Sequence, residues 1–233
     1  MKLIKQSHKI INITPDPYKQ IEYAARTCYN SHDKITDTSA PRMVTSLIKR
    51  THMAMIEFAD ITVEFITDRT VSHELVRHRL TSPAQASQRY INYSDGVSFI
   101  LPPWLDLSTY QGEWGSYLGP TKRLEALLRD PKEINIEPDS STYVYLKSLY
   151  LAEEAYMKLT QKGWQPEQAR KVLPGSCATT IILKANFREW MHILSLRFHG
   201  TTGRPDPTMH TLMQPLHQEL STLFPEVFRN EEE

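Results

Sequence analysis

The chain has 233 residues, with 27 lysines and arginines balancing 27 aspartates and glutamates. A net charge of zero weighs against a nucleic-acid binder, which is usually basic overall or on one face. No apolar run approaches the ~20 residues that cross a bilayer, and the two cysteines, Cys28 and Cys177, form neither a disulfide framework nor a CxxC motif.

In chain order the pattern predicts a mixed α/β (α+β) domain over 1–233, with a mixed sheet and long helices. The start, Met1 to Ser7, lacks the long apolar stretch of a signal peptide, so a cytoplasmic protein is expected. Lys2–Ile13 has strand-like apolar runs. Asp16-Pro17 has the form of an N-cap followed by proline at the first helical position, and Ile21, Ala24, Ala25 and Cys28 then share a helical face. A second helix is expected from Ala40 to about Arg50, with Met43, Leu47 and Ile48 inward. Ile61, Val63 and Phe65 alternate with polar residues, as in a half-buried strand. Val71–Arg79 reads as a helix. From about Ser94 to Ser141, prolines, glycines and aromatics mix into a long irregular insertion with one short helix near Thr121–Arg129. Thr142–Gln161 is a long helix closed by Gly163, and Ala178–Lys184 is a strand. Asn186 and Glu189 suggest a capping box for a helix reaching about Phe198. Asp206-Pro207 opens the last long helix, and the acidic Glu231–Glu233 end is expected to fray.

The segment Arg77 to Tyr90 stands out against this neutral background. It gathers Arg77, His78, Arg79, Ser82, Gln85, Ser87, Gln88 and Arg89 within fourteen positions. Arginine presents a planar fork of donors that matches phosphate and carboxylate. A solvated charged surface is the commonest fate of arginine, but this density with interleaved hydroxyls and amides points to a site for one or two phosphorylated small molecules. On the later helix, Trp190, Ile193, Leu194 and Arg197 follow helical spacing, which sets Arg197 on the apolar stripe. It either snorkels to the rim or is held at the edge of a pocket. Arg188 and His192 form a second, more polar face.

Other chemistries fit less well. His73-Glu74-Leu75-Val76-Arg77-His78 superficially resembles HExxH, but the second histidine falls one residue late and leaves the shared face, so no metal is expected. No GxSxG elbow surrounds Ser87. Cys177 reads as a small core residue. Glycine totals 8, with no GxGxxG fingerprint or P-loop.

Arg77-His78-Arg79, Ser82, Ser87, Arg89 and Tyr90 reproduce the RHRxxSxxxxSxRY motif, and the chain thereby resembles the flavin-dependent thymidylate synthases. The resemblance extends to His52 and Glu57, similar to the His and Glu of a GHxTxxEH segment, to Ala169–Pro174, and to Asn186-Phe187-Arg188 and the helix ending at Arg197. It spans about Ile21 to Gln218, with 94–141 poorly matched.

This resemblance implies a homotetramer of the family fold whose active sites lie at subunit contacts. It implies methylation of dUMP at C5 to dTMP, with carbon from 5,10-methylenetetrahydrofolate and hydride from NADPH by way of FAD. Arg77, His78, Arg79, Glu57, Gln85, Asn186, Arg188 and His192 would contact FAD. Glu74, Arg77, Gln85, Ser87, Gln88, Arg89, Arg170 and Arg197 would bind the nucleotide. Arg197 would favour ionisation of the pyrimidine, His52 would lie near flavin and folate, and Ser87 would polarise substrate without covalent attack. The chain departs from the pattern at Thr51, Ala54 and Phe58, and at Glu74, where many members carry glutamine. Gln85 stands where some carry glutamate. UMP or another uracil nucleotide therefore stays open as an alternative substrate, as does a nucleotide-binding regulator without catalysis.

Overall fold

The computed structural model describes residues 1–105 and 140–229, together with the backbone of residues 117–118. The expected helix at Thr121–Arg129 and the acidic end lie outside the described residues. The fold divides into two units. One comprises Met1–Ser7, Ile66–His73 and Gln85–Thr180; the other comprises His8–Phe65, Glu74–Ala84 and Ile181–Glu233.

In the first unit, strand β1 (Lys2–Ile4) is flanked by two strands. It pairs parallel with β5 (Ser98–Ile100), with Leu3 opposite Phe99, and antiparallel with β6 (Tyr117–Leu118). The stretch from 94 to 141 is thus not wholly irregular, since it supplies both neighbours of β1. Leu3, Val97, Phe99, Leu146, Leu149 and Cys177 pack into one core. The Ser141–Gln161 helix covers it, with the Ser140 hydroxyl accepting from the Tyr143 N–H at 3.2 Å. Past its end, Gly163 takes φ 90°, a conformation that glycine adopts without the Cβ clash. Cys177 is fully buried and burial pushes its thiol pKa up, which suits a core residue rather than a nucleophile.

Most of a four-stranded sheet, ordered β2-β3-β7-β4, belongs to the second unit. Its strands are β2 (Ser7–Ile13), β3 (Asp60–Asp68), β4 (Thr81–Gln85) and β7 (Ala178–Asn186). Ile61, Val63 and Phe65 on β3 are fully buried, as their alternation predicts. Strand β4 was not expected from the sequence because it contains Pro83; it lies at the sheet edge, where a missing N–H costs no ladder bond.

The helix before β4 spans Arg69–Leu75 and so stops short of the expected Arg79. The Arg77 and His78 N–H groups turn back to the carbonyls of Glu74 and Leu75, tightening the exit, and the Thr81 hydroxyl donates to the His78 carbonyl at 2.6 Å. Arg77 to Leu80 therefore form a turn.

The Pro17–Thr27 helix buries Ile21 and Ala25 as expected, but Cys28 is exposed beyond its end, and the buried partner is Glu22. Asp16 adopts a left-handed conformation and makes no side-chain cap. The Ser39–Lys49 helix turns Val44 and Leu47 inward, leaving Met43 and Ile48 half-buried. These two helices are tied by a buried carboxylate. Arg26 donates to Glu22 Oε1 at 2.9 and 3.1 Å, and the Ser39 hydroxyl donates to Oε2 at 2.8 Å. Among the described residues no helix is long and apolar enough to cross a membrane.

Replacing Glu22 by alanine removes the carboxylate that pairs with Arg26, leaving that guanidinium the Lys34 carbonyl, and removes one of two acceptors of the Ser39 hydroxyl, the other being the Thr36 carbonyl. The expected loss is about 3 kcal/mol of stability, seen as a lower urea midpoint; an unchanged midpoint would contradict a structural role for this pair.

Candidate active site

The site begins with the Phe187–Arg197 helix. The Asn186 side chain accepts from the Glu189 N–H at 2.8 Å and starts the helix. Only this half of the expected capping box is present, because the Glu189 carboxylate turns instead to His78. The Phe187 N–H donates to the Ala59 carbonyl at 2.8 Å, and the Trp190 indole N–H donates to the Ile61 carbonyl at 3.0 Å. These bonds pin the helix to β3 and the residue before it. Phe187, Trp190, Ile193 and Leu194 are buried, which leaves Arg188 and His192 exposed and Arg197 half-buried.

Opposite lies the turn from Arg77 to Leu80. Together they enclose a cavity of about 620 Å³ lined by Arg77, His78, Arg79, Leu80, Arg188, Glu189, His192, Leu196 and Arg197. Arg197 is fixed from several sides. Its Nε donates to His78 Nε2 at 3.1 Å, one terminal nitrogen donates to Glu74 Oε2 at 2.5 Å, and the other to the Glu74 carbonyl at 3.4 Å. A guanidinium has five N–H donors, so two remain for a ligand after these bonds. Glu57 holds Arg188 at 2.7 Å. Arg77 and Arg79 are exposed and have no side-chain ion pair among the described residues.

Burial, then the nearby charges of Arg197 and His192, push the His78 pKa down to about 4, so the ring is neutral near pH 7. Burial also raises the pKa of Glu189, whose carboxylate lies 3.5 Å from His78 Nδ1. Among the described residues, His78, Glu189 and His192 bring ligand atoms within 4.8 Å of one another, a spacing that could hold a metal ion. Four arginines line the same cavity. That surplus of positive charge suits an anion and opposes a dication.

The expected residues do not all meet here. Arg77, His78, Arg79, Arg188, His192 and Arg197 line this cavity, with Glu74 and Glu57 bonded to two of its arginines. Asn186 serves as the helix cap. His52 instead lines a second opening of about 810 Å³, with Tyr29, Lys34, Met43, Arg50 and Met53 among its walls.

The remaining candidates belong to the first unit. Gln85 donates from its amide to the hydroxyls of Ser72 and Thr179 at 2.8 and 3.2 Å. The Ser87 hydroxyl is half-buried and accepts from the Arg89 N–H at 3.3 Å. Gln88 is buried and donates to Cys177 Sγ at 3.4 Å, which makes it a packing residue in this structure. Arg89 pairs with Glu167 at 3.5 Å, and Arg170 donates to the Glu167 carbonyl at 3.3 Å. Glu167 thus gathers two cations.

Glu167 and Glu189 escaped the sequence reading as site residues. Arg89 and Glu167 are too distant along the chain for any local signal. Glu189 did carry one, since it stands three positions before His192 on a helix and so shares its face.

A cavity lined by four arginines is suited to small anionic ligands. A family model described as "Thymidylate synthase complementing protein" matches residues 9–226. A flavin-dependent thymidylate synthase of Geobacter sulfurreducens is 29% identical over 197 residues, covering 81% of this chain and 72% of that protein. A probable flavin-dependent thymidylate synthase of Paramecium bursaria Chlorella virus 1 is 27% identical over 203 residues, covering 87% and 86%. Among solved structures, a UMP/dUMP methylase of Streptomyces cacaoi, crystallised with 5-Br dUMP, aligns with a TM-score of 0.71 at 21% identity, covering 98% of this chain and 95% of that one. The chain belongs to the flavin-dependent thymidylate synthase family, a family of methyltransferases.

The geometry of His78 predicts an acid-sensitive fold. Between its ordinary pKa of 6.5 and the folded value of about 4, the unfolded chain binds the proton more readily than the native one. Stability should fall as pH drops through that window. His217, shifted down by burial, adds to the same slope. Urea midpoints at pH 7 and pH 5 should differ less in His78→Gln than in the parent; equal slopes would contradict the shift.

Proposed function

We propose that this protein methylates C5 of dUMP to give dTMP, taking carbon from 5,10-methylenetetrahydrofolate and hydride from NADPH by way of FAD. The observation that carries this reading is the immobilised Arg197 at the edge of an arginine-lined cavity. C5 of uracil is a weak nucleophile. A guanidinium donating to O2 and N3 stabilises negative charge on the ring and raises electron density at C5. Arg197 has two N–H groups left for that purpose and cannot swing away to water, because Glu74 and His78 hold it.

The lining fits a flavin. Arg77 and Arg79 offer open guanidinium forks suited to a diphosphate, Arg188 is oriented by Glu57, and Leu80 and Leu196 supply apolar surface. When bound, FAD supplies the redox chemistry of the hydride transfer. The protein's part is to orient the ligands and exclude water.

His52 lies in the other opening, whose apolar walls and the cations Lys34 and Arg50 suit an aromatic ligand with a carboxylate tail, as in a folate. The two openings share no lining residue. We read this division as support for a homotetramer in which one copy's His52 opening faces its neighbour's arginine cavity. The exposed Phe58 and Leu80, close in sequence to site residues, would be covered there.

One observation favours UMP as a second substrate. Glu74 is an acceptor at the Arg197 site, so a ligand hydroxyl suits it, and a ribonucleotide carries one more hydroxyl than dUMP.

The purified protein should be yellow with FAD and should oxidise NADPH faster when dUMP is added. With methylenetetrahydrofolate it should form dTMP, and dUMP and UMP compared side by side rank the two substrates. Colourless protein that takes up neither FAD nor dUMP would defeat the proposal. Arg197→Ala should lower methylation about 100-fold while FAD titration changes little. Arg77→Ala should do the reverse, weakening FAD most; an unaltered titration would remove its assigned role.

A further inference from the structure

The contacts around His78 imply a proton position. Arg197 Nε can only donate, so His78 Nε2 must offer a lone pair at the 3.1 Å contact. A neutral imidazole then carries its proton on Nδ1, and whatever faces Nδ1 must accept. The group that faces it is the Glu189 carboxylate, at 3.5 Å and almost fully buried. The backbone of Glu189 is held in place, because its N–H donates to Asn186 and its neighbour Trp190 is bonded to β3.

We propose that Glu189 is a positioning residue, which holds His78 in the Nδ1–H tautomer so that Nε2 receives Arg197 and aims its free N–H groups at the ligand. This rests on the reading of Arg197 given above, but the tautomer does not depend on that reading. The alternative tautomer would set an N–H of His78 against an N–H of Arg197 and release the guanidinium to Glu74 alone. The lowered His78 pKa agrees with a ring that stays neutral among Arg197, His192 and the other cations of the cavity, Arg77, Arg79 and Arg188. Glu189 belongs to the cavity wall, but its carboxylate is almost fully buried behind His78, and it acts through that ring.

The test uses the whole protein, labelled with ¹⁵N-histidine, with the His78 signals assigned by their loss in His78→Gln. The parent should show Nδ1 protonated and Nε2 unprotonated from pH 8 down to about 6. Glu189→Gln should introduce the Nε2–H form, because an amide can donate as well as accept. In methylation assays the same variant should lose turnover at least about tenfold while FAD titration stays within about twofold of the parent. An Nε2–H ring in the parent would overturn the proposal even if the Glu189 variant failed to fold. Equal losses of turnover and FAD affinity in Glu189→Gln would overturn it too, by reducing Glu189 to a structural role. The spectra need no substrate. A parent that shows the Nδ1–H ring, with the Nε2–H form appearing in Glu189→Gln, supports the device even if dUMP is not methylated.

Discussion

A half-buried guanidinium with three directed partners is the constraint on which this site depends. Arg197 rides on an apolar helix face where a free charge would be costly to desolvate. Glu74 neutralises it, His78 takes its Nε–H, and the Glu74 carbonyl takes another donor. Each bond removes a rotational freedom that a surface arginine would keep. What remains is a cation with few orientations and two unused donors, which is the preorganised state that electrostatic catalysis requires.

The fold serves that state through ordinary packing. The Trp190 indole bonded to β3 sets the height of the helix, the Asn186 cap sets its start, and the buried Phe187, Ile193 and Leu194 set its rotation. The early end of the Arg69–Leu75 helix matters as much. Had it continued to Arg79, as its residues allow, the three motif residues would have been spread around a helical cylinder at 100° steps. The turn instead buries His78 and leaves Arg77 and Arg79 exposed on either side of it.

Much of this was legible in the sequence because it rested on local periodicity. The alternation of Ile61, Val63 and Phe65, the cap at Asn186 and the stripe through Trp190 and Arg197 all follow from spacing alone. What was not legible depends on partners far apart in the chain. Nothing near Glu74 announces that it meets Arg197, and nothing near Glu189 announces His78. Strand β4 was hidden by Pro83, since only the sheet order reveals that this is an edge where proline is harmless. The prolines and glycines of the Ser94–Ser141 stretch suggest irregular structure, yet it pairs with β1 through two strands, of three and two residues, too short to show a period. Gln88 resembled a nucleotide ligand by motif, while the structure buries it against Cys177.

The most direct measurement follows the hydrogen at C5. The protein, supplied with FAD, NADPH, methylenetetrahydrofolate and dUMP tritiated at C5, should release tritium to water. Arg197→Ala should retain its flavin and release almost none. Equal release from the parent and a flavin-loaded Arg197→Ala would show that the immobilised guanidinium does not act on the uracil ring.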